Sequence, residues 1–318
     1  MKRLFAISVL CVLCVAEAAA QEFVTINPDT RAAAMGGASV AITADAWSAA
    51  DNAAAPLFSK SMVQAQVSFT PWQMAVSDGY YLLSLGGYVR MGDKHALSLS
   101  ARRYIEPKLD AGDFPFVPKD ENNKPLPLEL SRPGGLMINL GYGLKLLDKL
   151  SASVTAGYAQ AADGIGGRKN ALTFDISLYS SVPLRSLCDG AALNIGAKVS
   201  NIGISLSPTK ASIPALFKAG MALYMPFSDS HALECTADAG YQFYRLKYLR
   251  SFVANAGLEY TFMKTAMLRV GYMYRNYGCF TVGAGVRFKH IRIDASYWAG
   301  SNICPWRNTF SVGAGVEF

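Results

Sequence analysis

From Met62 onward, apolar and polar residues alternate in runs of about ten, the length of a tilted membrane-crossing strand. The last run is the clearest. Phe310, Val312, Ala314, Val316 and Phe318 fall on one parity, and Ser311, Gly313, Gly315 and Glu317 on the other. Period two is a strand's signature, so one face of this segment is apolar and the other small or charged. About fourteen such strands are predicted, starting near Met62, Tyr80, His95, Gly135, Ser151, Ala171, Ala191, Ala215, His231, Phe252, Thr265, Tyr277, His290 and Thr309.

Their connections are of two kinds. Short polar ones (91–94, 147–149, 228–230, 263–264, 289–290) mostly alternate with longer ones (105–134, 162–170, 201–214, 245–250, 300–308). That asymmetry predicts an all-β fold: a transmembrane antiparallel barrel with short periplasmic turns and longer extracellular loops. An even count places both chain ends of the barrel, and with them the N- and C-termini, on the periplasmic side. The strand ending at Phe318 is the one expected to engage the barrel-assembly machinery.

Composition fits this picture. Half of the residues are hydrophobic, yet no run of about eighteen apolar residues follows the first twenty, so the apolar content is dispersed by alternation. Residues 1–20 read as a cleaved signal peptide, with Lys2 and Arg3 ahead of an apolar stretch and Ala18–Ala20 as the small-residue cleavage site. Residues 21–59 form a separate N-terminal segment and residues 60–318 the barrel. The net charge of +7 comes from scattered basic residues in an exported chain. Nucleic acid is therefore not an expected partner, while outer-membrane lipid is.

Cys188, Cys235, Cys279 and Cys304 follow the signal segment, without a C-x-x-C pair. Cys279 and Cys304 fall near the same outer rim on neighbouring hairpins and form the candidate disulfide, geometry permitting. Cys188 and Cys235 are expected to be free. His95, His231 and His290 sit at separate turns, and no nucleophile elbow, zinc helix or phosphate loop occurs. No catalytic residue, metal or cofactor is expected.

Inward positions are rich in glycine: Gly141, Gly143, Gly257, Gly283, Gly285, Gly313 and Gly315. Strand glycine marks a tight bend or a close approach by another element. Only Lys145, Glu259, Arg287 and Glu317 read as inward charges, which favours a plugged or narrow lumen over a wide pore. The N-terminal segment is small and alanine-rich, suited to a confined space. Its residues Arg31, Met35, Gly36, Gly37, Asp45 and Asn52 form the pattern R-A-x-x-M-G-G-A-x-x-A-x-x-x-D-A followed by Asn52-Ala53-Ala54.

This pattern resembles the N-terminal signature of PorV/PorQ-type outer-membrane barrels of Bacteroidota, relatives of the fatty-acid transporter FadL. The family usually reads Asn-Pro-Ala where this chain has Asn52-Ala53-Ala54, with the proline displaced to Pro56. The resemblance implies a FadL-like barrel whose N-terminal segment plugs the lumen. It implies two functions: a component of a type IX-like secretion and surface-attachment complex, or a conduit admitting a hydrophobic ligand such as a fatty acid.

The longest loop, 105–134, carries six prolines with Phe114, Phe116 and Val117, and is the candidate docking surface for a protein partner. Tyr241, Tyr244, Tyr248, Tyr272, Tyr274, Tyr277, Trp298 and Trp306 gather at predicted outer strand ends. They are expected to form an aromatic girdle, with a ligand-binding rim as the alternative.

Overall fold

The computed structural model describes residues 23–72, 79–109, 130–207, 213–244, 251–300, 304 and 306–318. Fourteen antiparallel strands close on themselves. They are β1 (Val63–Pro71), β2 (Tyr81–Met91), β3 (His95–Ile105), β4 (Gly134–Leu147), β5 (Leu150–Ala162), β6 (Arg168–Pro183) and β7 (Ala192–Ser205). The second half comprises β8 (Ala215–Pro226), β9 (His231–Phe243), β10 (Ser251–Phe262), β11 (Ala266–Arg275), β12 (Tyr277–Phe288), β13 (Ile291–Gly300) and β14 (Thr309–Glu317). Each strand pairs with its neighbours in sequence, and β1 pairs with β14 through Val67 and Ala314 to close the wall.

Alternation is turned inside out relative to a soluble protein. On β1, Gln64, Gln66, Ser68 and Thr70 are buried in the lumen, while Val67 and Phe69 are exposed on the outer surface. On β14 the Phe310 and Val316 side chains face out and Ser311 faces in. This arrangement suits a hydrocarbon solvent, in which every backbone polar group must be paired within the wall. Two register shifts interrupt the ladder, between Lys145 and Leu147 and between Phe174 and Ile176.

The second shift positions a functional group. Asp175 lies in the irregularity, and its Oδ1 accepts from the Asn201 amide at 2.8 Å. Asn201 itself has a φ of 59°, a left-handed conformation that asparagine tolerates. Asp175 shares the inward parity of Thr173 and Ser177, and its carboxylate meets Lys198 at 3.0 Å, while the extra residue of the irregularity lies on β7.

Residues 23–58 lie inside the barrel. They contain 3-10 turns at Phe23–Thr25 and Ala55–Phe58 and two short helices, α1 (Thr30–Ala34) and α2 (Ser48–Asp51). Phe23 sits at the long-loop end, stacked on Tyr104 of β3. Phe58 sits at the short-turn end, beside Tyr179 and under Lys145. Barrel ends Val63 and Glu317 share the short-turn rim, but the chain ahead of β1 starts at the opposite one. From Phe23 the segment therefore traverses the lumen before entering β1.

Candidate functional site

The inner segment is held first by Arg31. Helix α1 is a single turn, capped by Asp29, whose side chain accepts from the Arg31 amide at 2.8 Å. The Arg31 side chain, 3% exposed, then spends its donors on three carboxylates. It reaches Glu259 on β10 through Nε at 2.9 Å and Nη2 at 2.8 Å, and Glu234 on β9 through Nη2 at 2.6 Å. Asp45 of the segment itself is 3.3 Å from Nη1, and the Thr43 carbonyl and hydroxyl accept from the remaining positions.

Glu259 also receives Arg269 Nε at 2.5 Å. Arg269 Nη1 lies 2.8 Å from Asp294, an ion-pair contact, and Asp294 accepts from Arg292 at 2.8 Å. Burial alone would lower the Arg31 pKa, but Glu259, Glu234 and Asp45 outweigh it and hold the guanidinium charged. A buried ion network of this kind adds little net stability over an apolar core, but losing one member strands the others.

The glycines explain how the segment comes so near the wall. Gly36 and Gly37 have φ values of 70° and 79°, which suit residues without a Cβ. The Gly36 amide donates to Thr281 Oγ1 at 2.8 Å, and Thr281 returns a bond to Ala34 O at 2.9 Å. On the wall, a Cβ at Gly257 or Gly271 would collide with the Met35 and Gly36 backbone, and one at Gly283 with Ala34. Gly141 and Gly143 face Ala53 in the same way, whereas Gly285 faces the Arg269 guanidinium.

Among the signature residues, Arg31 and Asp45 meet directly, while Met35, Gly36 and Gly37 form the turn after α1. Met35 is fully buried with Ala32 and Ile42. Asn52 acts elsewhere: its Nδ2 donates to Val40 O at 2.8 Å and to Leu178 O on β6 at 3.0 Å. The segment touches every strand. Pro28 O accepts from Ser68 on β1, and Thr30 meets Ser311 on β14. Trp47 packs on Gly86 of β2, and Val24 O accepts from Arg102 on β3. Ala54 O accepts from Ser151 on β5, Ile42 O from Tyr179 on β6, Ala50 O from Lys198 on β7 and Gly37 O from Lys218 on β8. Ala53 faces β4, α1 packs on β13, and the contacts to β9–β12 are those given above.

The charged interior corrects the sequence expectation. Besides Lys145, Glu259, Arg287 and Glu317, the lumen holds Arg102, Asp175, Lys198, Lys218, Glu234, Asp238, Arg269, Arg292 and Asp294. Most sit one to a strand and are neutralised across neighbouring strands, as in Lys218–Asp238 at 2.9 Å, so no single strand reads as charged.

Above the segment, in the long-loop half, lies a cavity of about 120 Å³. It is lined by Trp72, Trp298 and Trp306 and by Arg102, Lys198, Lys218 and Asp51, with Met137 beside Arg102 on the neighbouring strand. Trp72 and Trp298 meet edge to face at 5.3 Å, and the Arg275 guanidinium lies 5.5 Å over the Trp306 ring. Asp51, at the end of α2, has its Oδ2 buried without a hydrogen-bond partner among the described residues. Burial pushes its pKa up to about 6, against the pull of Lys218 and Lys198, with Asp45 adding to the rise.

Two tryptophans therefore depart from the expected girdle: Trp298 and Trp306 are buried in the lumen. Tyr241, Tyr272, Tyr274 and Tyr277 are exposed on the outer wall. Tyr244 accepts from Gln242 and Arg275 at the long-loop rim. Cys279 and Cys304 are buried in one cluster as free thiols, where a bridge was expected, and the Cys279 thiol contacts Phe280 O at 3.7 Å. Cys188 and Cys235 are free as well.

His95 and His231 bond the Tyr142 and Tyr260 hydroxyls, each at 2.7 Å, and His290 bonds Glu317 O at 2.9 Å. Among the described residues no His, Cys, Asp and Glu cluster has metal-site geometry. Phe114, Phe116, Val117 and Tyr248 lie outside the described residues.

The family model for the type IX secretion system protein PorV matches residues 15–213, which include the inner segment and β1–β7. The chain belongs to the PorV family. A search of curated proteins gave no match. Among solved structures, the chain is similar to the CymD monoaromatic hydrocarbon channel, with a TM-score of 0.59 at 13% identity over 92% of this chain and 97% of that one. It is similar to the Ralstonia pickettii toluene transporter TbuX, with a TM-score of 0.57 at 12% identity, covering 92% and 98%. A Pseudomonas aeruginosa FadL homologue gives a TM-score of 0.52 at 13% identity, covering 91% and 98%. At these identities the likeness establishes the fold, an outer-membrane barrel of the FadL-like type.

Proposed function

We propose that this protein is a non-enzymatic outer-membrane component of a type IX-like secretion and surface-attachment complex. Its work is to present a rigid barrel rim and the long loop 105–134 to a partner protein. The observation that carries this reading is the inner segment, which contacts all fourteen strands and is pinned through Arg31 by buried carboxylates. A lumen occupied in this way supports a role at the surface over bulk passage. Membership of the PorV family supports the same reading. In it, residues 1–20 are removed on export, residues 21–59 act as the plug, and the short turns and both barrel ends face the periplasm. The β14 strand is read by the assembly machinery during insertion, and lipid covers the outer face.

Gentle extraction from the native outer membrane, followed by mass spectrometry of everything that co-purifies, tests this. Stoichiometric protein partners that survive washing and are lost on deleting residues 110–129 are expected. Partner binding unchanged by the deletion sinks the loop assignment, and a barrel that purifies without proteins sinks the complex. The tryptophan-lined cavity favours a second reading, a FadL-type route for small hydrophobic molecules. That reading expects a lone barrel carrying a bound apolar molecule in the same experiment.

A further inference from the structure

We infer that the long-loop-side cavity is a binding site for a one-ring aromatic monocarboxylate, held between Arg102 and the tryptophan wall. This holds under either reading of the protein's function. Arg102, on β3, is 7% exposed and lines the cavity. Its Nη1 donates to Val24 O at 3.1 Å and to Ile26 O at 2.9 Å. Nε and Nη2 have no protein acceptor, and no carboxylate lies within ion-pair distance among the described residues.

A buried guanidinium without a countercharge is expensive unless an anion accompanies it. The neighbouring cations differ, because Lys198 is paired with Asp175 and Lys218 with Asp238. The acids lining the cavity are Asp51 and Asp175, against Arg102, Lys198 and Lys218. An incoming carboxylate matches the fork of Arg102, for which bidentate pairing is the strong mode.

The tryptophans set the rest of the ligand. Trp72, Trp298 and Trp306 offer flat apolar faces, and Met137 adds apolar surface beside Arg102. The cavity is close in size to apolar cavities of roughly 150 Å³ that accept a benzene ring. A single ring with one carboxylate satisfies charge, shape and volume together. A plain hydrocarbon leaves Arg102 uncompensated, and a long acyl chain exceeds the space.

Three of the four tryptophans in the chain line the cavity, so their emission reports occupancy. The full-length protein in detergent is titrated with phenylacetate, toluene and palmitate, and calorimetry confirms each binding event. Phenylacetate is expected to give a saturable change, with affinity at least about tenfold above that of toluene, the scale of a charge-assisted hydrogen bond. Arg102→Gln is expected to remove that tenfold preference, and Arg102→Lys, which keeps the charge but not the fork, to retain only part of it. Three results each overturn the assignment: no saturable phenylacetate signal, toluene binding as well as phenylacetate, or an Arg102→Gln barrel that keeps the preference. Palmitate binding where phenylacetate does not would assign the cavity to acyl chains and also overturn it. The three-ligand comparison uses the unaltered protein, so it decides the matter even where a variant fails to assemble.

Discussion

Two buried arginines divide the lumen into halves of different character. Arg31, in the short-turn half, is enclosed by Glu234, Glu259 and Asp45, and its donors are used on side chains and the Thr43 carbonyl. Arg102, in the long-loop half, has only backbone carbonyls for partners and faces open volume. Both are almost fully buried, so burial does not separate them. What separates them is the company each keeps: with compensating acids and no space a buried charge locks an element, and with space and no acid it awaits one.

The largest effect expected from breaking this contrast is that of Arg31→Met. It strands three carboxylates and should loosen residues 23–58 by about 3–5 kcal/mol. Limited proteolysis of the folded barrel reads this as new cleavage within the segment. Arg102→Met should cost less, below about 2 kcal/mol, because removing a lone buried charge offsets the lost carbonyl bonds. Equal proteolytic sensitivity in the two variants would break the comparison. Gly271→Ala sharpens it sterically. The added methyl meets the Met35 and Gly36 backbone and should displace the α1 turn at a cost of about 1–3 kcal/mol, visible as faster amide exchange at Gly36 and Gly37.

The smallest effect lies at the rim. Glu106, just beyond β3, has its Oε1 buried without a hydrogen-bond partner among the described residues, and burial pushes its pKa up to about 7. A carboxyl raised in this way favours the folded rim while it is protonated. That contribution weakens as pH climbs from the ordinary 4.5 toward 7. Protection of the β3–β4 rim amides, taken relative to their intrinsic exchange rate at each pH, should therefore fall over that interval in the native protein. In Glu106→Gln it should stay flat.

The wall was legible because its signal is local. Period two marked every strand, and the largest displacement of a start, Ala171 against Arg168 on β6, falls beside a loop where alternation fades. The inward glycines of β10 and β12 were likewise readable from parity. The interior chemistry was not, for reasons of geometry. Arg31 and Glu259 are 228 positions apart, and only closure of the sheet brings them together. Asp175 was readable as inward from parity, but its partners Lys198 and Asn201 meet it only through the β6–β7 pairing and its irregularity. Trp298 and Trp306 flank a long connection at a strand end, where composition matches a girdle and only the actual side-chain direction distinguishes lumen from lipid. Arg102 was countable as a basic residue, but its lack of an acid is a three-dimensional fact.

The route of residues 23–58 also constrains how the molecule is made. This stretch precedes the wall in the chain, yet the groups that hold Arg31 belong to β9 and β10, and those that extend the network to β11 and β13. Thr30 finds Ser311 only when β14 is present. Contacts so distant in sequence form slowly and late. The early chain must therefore stay unsatisfied until the final strands arrive, and the seam between β1 and β14 then closes around it. A barrel halted before β9 would hold an arginine with no acid from the wall to receive it. Completion of the wall and seating of its contents are thus a single event, and a half-built molecule carries its own mark of incompleteness.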